Sequence, residues 1–203
     1  MIERFFAFVS LLMARIGGAL LLGAAILIGT EVILRYSRLG AFSLGTELSS
    51  YALAVGASWA LAYVVFERGH VRIDVLPQRL PARAKAVLDI LGLASLAGIG
   101  FVLSAGALEM FQTSWGLSAR ANTPLGTPLV IPQGAWTAGL FWFTAIAAWR
   151  TGRAFVAMIA ADFARVDTIA GSPGTEEEVE EAISETQQWL GKSPDRADDR
   201  GTV

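Results

Sequence analysis

The chain has 203 residues, 54% of them hydrophobic and 17% charged, and a mean hydropathy of +0.51, a balance too apolar for an ordinary soluble domain of this size. It has no cysteine and one histidine, His70, which excludes disulfides, thiol nucleophiles, and any Cys-based metal site, bis-histidine haem or multi-His zinc site built within this chain. The net charge of −2 conceals an asymmetry: residues 1–165 carry 13 Lys and Arg against 8 Asp and Glu, whereas residues 166–203 carry 3 against 10, and nucleic-acid binding finds no support in either part.

A bilayer core about 30 Å thick is crossed by about 20 helical residues. The first apolar run, Ile16 to Thr30, lies between Arg15 and Glu31 and continues through Val32 to Leu34, which places a span at 14–34. Residues 1–13, with Phe5, Phe6 and Phe8, suit either an extension of that helix or an interfacial arm. The run is too long for a cleaved signal peptide and lacks a clear small-x-small cut site, so it is expected to be retained.

The second run, Leu48 to Phe66, lies between Glu47 and Glu67, and the third, Ile90 to Leu108, between Asp89 and Glu109, giving spans at 47–67 and 89–109. From Ala121 to Trp149 the chain is uncharged. Pro124 and Pro128 make the first part a loop, and Pro132 suits the first turn of a fourth span at 132–150.

Ten basic residues fall on one side of these spans (Arg4, Arg15, Arg68, Arg72, Arg79, Arg83, Lys85, Arg150, Arg153, Arg165) and three on the other (Arg35, Arg38, Arg120). The positive-inside rule then puts both termini in the cytoplasm. The fold class is an all-α membrane protein of four transmembrane helices over residues 1–165. An acidic cytoplasmic tail follows over 166–203, largely disordered, with a short helix at 175–190 marked by Thr175 and Glu178 in a capping-box arrangement.

Between the second and third spans lies the densest polar cluster, Glu67 to Asp74. The alternation of Val71, Ile73 and Val75 suggests an extended interfacial segment, and Pro81 suits the start of the next helix. His70 is read as capping helix-end carbonyls and Glu47 as an acid favoured at a helix N-terminus.

Small residues at helical spacing, including Gly18 and Gly29 on the first span, Gly56 and Ala60 on the second and Gly98 on the third, permit close approach of another helix. The spans hold no proline break and no ionisable residue in their central turns, features that mark ion and substrate paths in carriers. No catalytic triad, phosphate loop or paired carboxylates is recognisable, so neither an enzyme nor a bound cofactor or metal is expected.

The stretch LGTELSSYALAVGASWALAYVVFERGHVRIDVLPQRLP, residues 44–81, resembles the small membrane subunit of tripartite ATP-independent periplasmic (TRAP) transporters, the DctQ type. The resemblance rests on Glu47, Tyr51, Trp59, Arg68, Gly69, His70, Asp74 and the Leu80-Pro81 pair, and extends in outline over residues 10–155. It implies an accessory subunit that stabilises a much larger multi-span permease in a bacterial or archaeal inner membrane. That permease takes up an organic acid with sodium, delivered by a periplasmic substrate-binding protein. The tail runs past the family's usual end. The competing class is a stand-alone membrane protein, either a homo-oligomeric carrier or an anchor for a soluble partner.

Overall fold

The computed structural model describes residues 2–37, 45–67 and 81–171, together with Ile183, Ser184, Thr186 and Gln187. Arg68, Gly69, His70, Asp74 and the interfacial segment around them lie outside the described residues, as does most of the helix expected over 175–190. The four described tail residues are helical.

Five helices make up residues 2–171: α1 (Ile2–Tyr36), α2 (Gly45–Phe66), α3 (Ala82–Gly116), α4 (Val130–Ile159) and α5 (Phe163–Ala170). The described residues contain no β-strand, only an isolated bridge between Arg120 and Pro128. α1, α2 and α3 are each long and apolar enough to cross a membrane. The 30 residues of α4 reach about 45 Å, but Trp136, Trp142, Trp149, Gln133 and several Gly and Thr dilute its hydropathy.

α1 runs unbroken from Ile2, so residues 2–13 extend the first helix and form no separate arm. α3 exceeds the 89–109 expected of it because charged residues mark the edge of an apolar run and do not stop a helix. What bounds α3 is backbone chemistry. Pro81 sits extended before it and accepts the amides of Ala84 and Lys85 at 2.9 and 3.1 Å, and Ser118 turns the chain after it with a φ of 47°. α4 likewise passes its expected end at 150, and Pro132 falls in its first turn as expected.

The folded part also extends beyond residue 165, which corrects the tail boundary. Ala161, at a φ of 56°, reverses the chain after α4, and Asp162 Oδ1 accepts the Arg165 amide at 3.0 Å to start α5. Val166, Ile169 and Ala170 then form an i, i+3, i+4 stripe buried against α3 and α4. Gly171 and Pro173 read as a linker in the sequence because they lie just past this helix.

Among the long helices α1 packs on α2, α2 on α4 and α4 on α3, and α5 lies against α3 and α4. A Cβ on Gly17 would stand 2.7 Å from the Gly56 carbonyl oxygen, and one on Gly56 2.8 Å from that of Gly17, so the α1–α2 crossing is backbone on backbone. At the other end of α1, Ser10 Oγ accepts Trp142 Nε1 at 3.0 Å, and Phe6 lies edge-on to Trp142 and Trp149, with centroids 5.6 and 5.1 Å away. The largest apolar cluster gathers where α2 ends and α3 begins, around Val65, Ile90, Phe143, Ile146 and Val166. Leu22, Ile26, Ile33, Phe101 and Val102 stay exposed, an apolar area that a water-soluble monomer does not present.

Candidate functional site

Two polar clasps lock the ends of the helices. At the end that carries the α3–α4 loop, Glu47 is buried in the first turn of α2, where the helix dipole favours an acid. Its Oε1 accepts the Tyr51 hydroxyl at 2.8 Å, and its Oε2 accepts the hydroxyl of Thr123 from the loop. The loop is a compact hairpin. The Ala121 amide donates to Thr127 O, the Leu129 amide to Ala119 O and the Arg120 guanidinium to Gly126 O, and Gly126 supplies the positive φ of 58° that the turn requires. Beside it Glu31 Oε2 accepts the Gly45 amide at 2.8 Å, tying α1 to the start of α2, and its Oε1 accepts from Arg35 at 3.2 Å.

At the opposite end Arg150 is 6% exposed. Its Nη1 donates to Val65 O and Phe66 O at 3.0 Å each, and its Nη2 to Ile169 O at 2.8 Å. A cation at the C-terminal carbonyls of α2 answers the negative end of that helix and satisfies groups that have no partner within it. One side chain on α4 thereby joins α2 to α5. Lys85 and Asp167, 2.8 Å apart, add a bond between α3 and α5, and Arg153 and Glu3, 2.7 Å apart, one between α4 and the start of α1.

Between the clasps small hydroxyls are buried, one bonded within its own helix and the others across the α3–α4 contact. Ser58 donates to Val55 O, Thr137 to Ala107 O, and Ser104 and Thr144 bond each other at 3.0 Å. Trp59 Nε1 reaches Ala135 O at 2.9 Å and binds α2 to α4. No group of three His, Cys, Asp or Glu able to hold a metal occurs among the described residues. An apolar groove of about 660 Å³ opens between the later half of α1, α2 and the start of α4, lined by Leu20, Leu27, Leu48, Val55 and Ile131.

Of the site residues expected from sequence, Glu47 and Tyr51 meet directly, Trp59 packs α2 on α4, and Pro81 caps α3. The glycines divide. Gly56 is consumed inside the chain against Gly17, which corrects its assignment to a partner-facing seam, whereas Gly18, Gly29 and Gly98 face open space and Ala60 is half-buried. Arg150, Gly17 and Glu31 carry the internal clasps without having been singled out. In the sequence Arg150 is one of ten basic residues on the same side of the spans, and its spacing does not set it apart from the other nine.

Glu47→Ala removes the acceptor for both Tyr51 and Thr123. Expected is a lower midpoint of unfolding in detergent, with faster amide exchange at Ala121 and Leu129. Unchanged exchange at those amides would show that the loop holds its shape without Glu47.

The sequence model of the family described as "Tripartite ATP-independent periplasmic transporters, DctQ component" matches residues 24–158. No curated protein and no solved structure matches the chain. The match covers α2, α3, nearly all of α4 and about the last third of α1, so both clasp residues, Glu47 and Arg150, lie inside it. The chain belongs to the DctQ family, a family of transporter components and not of enzymes, and is a membrane-embedded small component of a TRAP transporter.

Proposed function

We propose that this chain braces the large permease of its transporter. It crosses a bacterial or archaeal inner membrane four times, with α4 as the fourth span and both termini and α5 in the cytoplasm. Its partners are a multi-span permease that moves an organic acid with sodium, and a periplasmic substrate-binding protein received in part by the loop 117–129. The observation that carries this reading is the set of long unbroken helices. The buried charges among the described residues, Glu47, Asp89 and Arg150, lie toward the ends of the helices, and a large apolar area is exposed. Such helices lack the mid-depth charges that mark an ion path and offer a rigid wall against which a moving permease is held.

Orientation follows the ten-to-three distribution of basic residues. α4 lies antiparallel beside α3, joined to it by the compact loop, so a bilayer that contains α3 also contains α4. The seams at Gly18, Gly29 and Gly98, open in this chain, are the places where a partner helix approaches most closely.

The absence of native cysteine makes a clean test. Leu125→Cys is expected to react with an impermeant thiol reagent from the periplasmic side and Thr168→Cys only after the cytoplasmic side is opened; the reverse pattern would overturn the orientation. In proteoliposomes this chain alone is expected to give no uptake, and uptake is expected once the large permease, the binding protein and a sodium gradient are supplied. Substrate-dependent uptake by the chain alone would replace the accessory reading with that of a homo-oligomeric carrier.

A further inference from the structure

Past the expected end of the fourth span, α4 continues for about two more turns, and there its surface changes character. Phe155, Val156 and Ile159 are 49%, 66% and 72% exposed, although they flank arginines. Between this stretch and the start of α5 is a pocket of about 480 Å³, lined by Trp149, Gly152, Arg153, Val156 and Arg165, with Asp162 at its edge. A Cβ on Gly152 would meet nothing within 4 Å, so the wall is open at that point.

The charges in the pocket are unequally committed. Asp162 caps α5 by accepting the Arg165 amide at 3.0 Å. The Arg153 guanidinium lies over the Trp149 ring, 5.0 Å from its centroid, and shares its charge with Glu3 at 2.7 Å. The Arg165 side chain is exposed, and among the described residues its guanidinium has no acidic partner. A guanidinium without an acidic partner among the described residues, a second one fixed on an indole, and a strip of exposed apolar side chains along α4 stand together here. They suit an anion with a hydrocarbon chain attached. Basic pockets at the cytoplasmic ends of membrane helices hold anionic headgroups in this way, with Trp at headgroup depth.

We propose that this pocket binds the phosphate headgroup of an anionic phospholipid of the cytoplasmic leaflet. Arg165 and Arg153 hold the phosphate, and the acyl chain lies along Val156 and Trp149. The apolar strip selects a lipid over free phosphate or an acidic peptide, because neither of those covers Val156 and Ile159. The leaflet assignment rests on the orientation proposed above; the headgroup chemistry does not.

The test is native mass spectrometry of the full chain released from detergent micelles doped with phosphatidylglycerol, with phosphatidylcholine, or with inorganic phosphate alone. The wild type is expected to retain phosphatidylglycerol in preference to phosphatidylcholine and to be unaffected by phosphate. Arg165→Ala is expected to lower that retention about fivefold, the weight of one basic residue at an anionic lipid surface, and Arg165→Lys to restore most of it. Arg165 is exposed and its side chain makes no hydrogen bond or ion pair among the described residues, so the variant is expected to keep its structure, as an unchanged unfolding midpoint will show. Equal retention of both lipids, binding of phosphate alone, or an unaffected Arg165→Ala variant would each overturn the proposal. Because binding in micelles is indifferent to orientation, a failure here is separable from a failure of the cysteine-labelling experiment.

Discussion

Gly56→Leu is expected to destabilise the chain strongly, by forcing apart the crossing of α1 and α2. The new side chain has to enter space held by the Gly17 carbonyl, 2.8 Å from where its Cβ would sit, and by Leu21 Cγ at 3.0 Å. Leu21 can rotate away, but the α1 backbone cannot move without opening the crossing. Overpacking into a close-packed site costs typically about 1–3 kcal/mol, and a backbone obstacle places this site at about the top of that range. The readout is the midpoint of unfolding by a denaturing detergent, followed by the helical circular dichroism signal. Gly18→Leu, one residue along α1 from the crossing and facing open space, serves as the control and is expected to leave the midpoint unchanged. A Gly56→Leu midpoint equal to wild type would mean that α1 and α2 do not cross at these glycines.

The second large effect is expected at Arg150. Arg150→Ala strands three buried carbonyls, Val65 O, Phe66 O and Ile169 O, and removes a cation stacked 5.2 Å from the Phe66 ring centroid. Hydrogen bonds to a charged group contribute about 1.5–3 kcal/mol each, and since the three share one donor group the total is taken as about 3–5 kcal/mol. Arg150→Lys is expected to fall between, because an ammonium lacks the planar fork that reaches α2 and α5 together. The loss has a location: amide exchange is expected to accelerate at the last turn of α2 and at Val166 to Ala170, while α1 remains protected. Uniform acceleration along the chain would show that Arg150 acts on the whole fold and not as a local clasp.

These two sites show how far sequence carries and where it stops. The apolar runs located the core of every long helix, since hydrophobic length against bilayer thickness is a one-dimensional property. They misplaced the ends of α3 and α4, because a helix continues through Arg83, Lys85, Asp89, Arg150 and Arg153 until Pro81, Ser118 or Ala161 changes the backbone. α5 was hidden for a related reason: eight residues are too few for periodicity to stand out beside the Gly171, Pro173 and Gly174 that follow. In the site, Glu47 was legible as an acid at the start of α2 and Tyr51 only through the family resemblance, whereas the bond between them and the Thr123 bond, 76 residues away, came from the structure. Nor can spacing tell Gly17 from Gly18. Both lie on the same helix, and only the crossing with α2 decides which is enclosed and which remains open to a partner.

That division of glycines leads to the central claim, that the chain's own packing is complete and its outward faces are for another protein. Variants at the open positions, Gly18→Leu, Gly29→Leu and Gly98→Leu combined, are expected to leave the unfolding midpoint of the isolated chain unchanged while weakening its hold on a partner. The most direct measurement is affinity purification of the tagged chain from native membranes in mild detergent, wild type beside this triple variant, with the bound proteins identified by mass spectrometry. The account predicts a large multi-span permease retained by the wild type and depleted in the variant; recovery of self-copies alone by the wild type would contradict it.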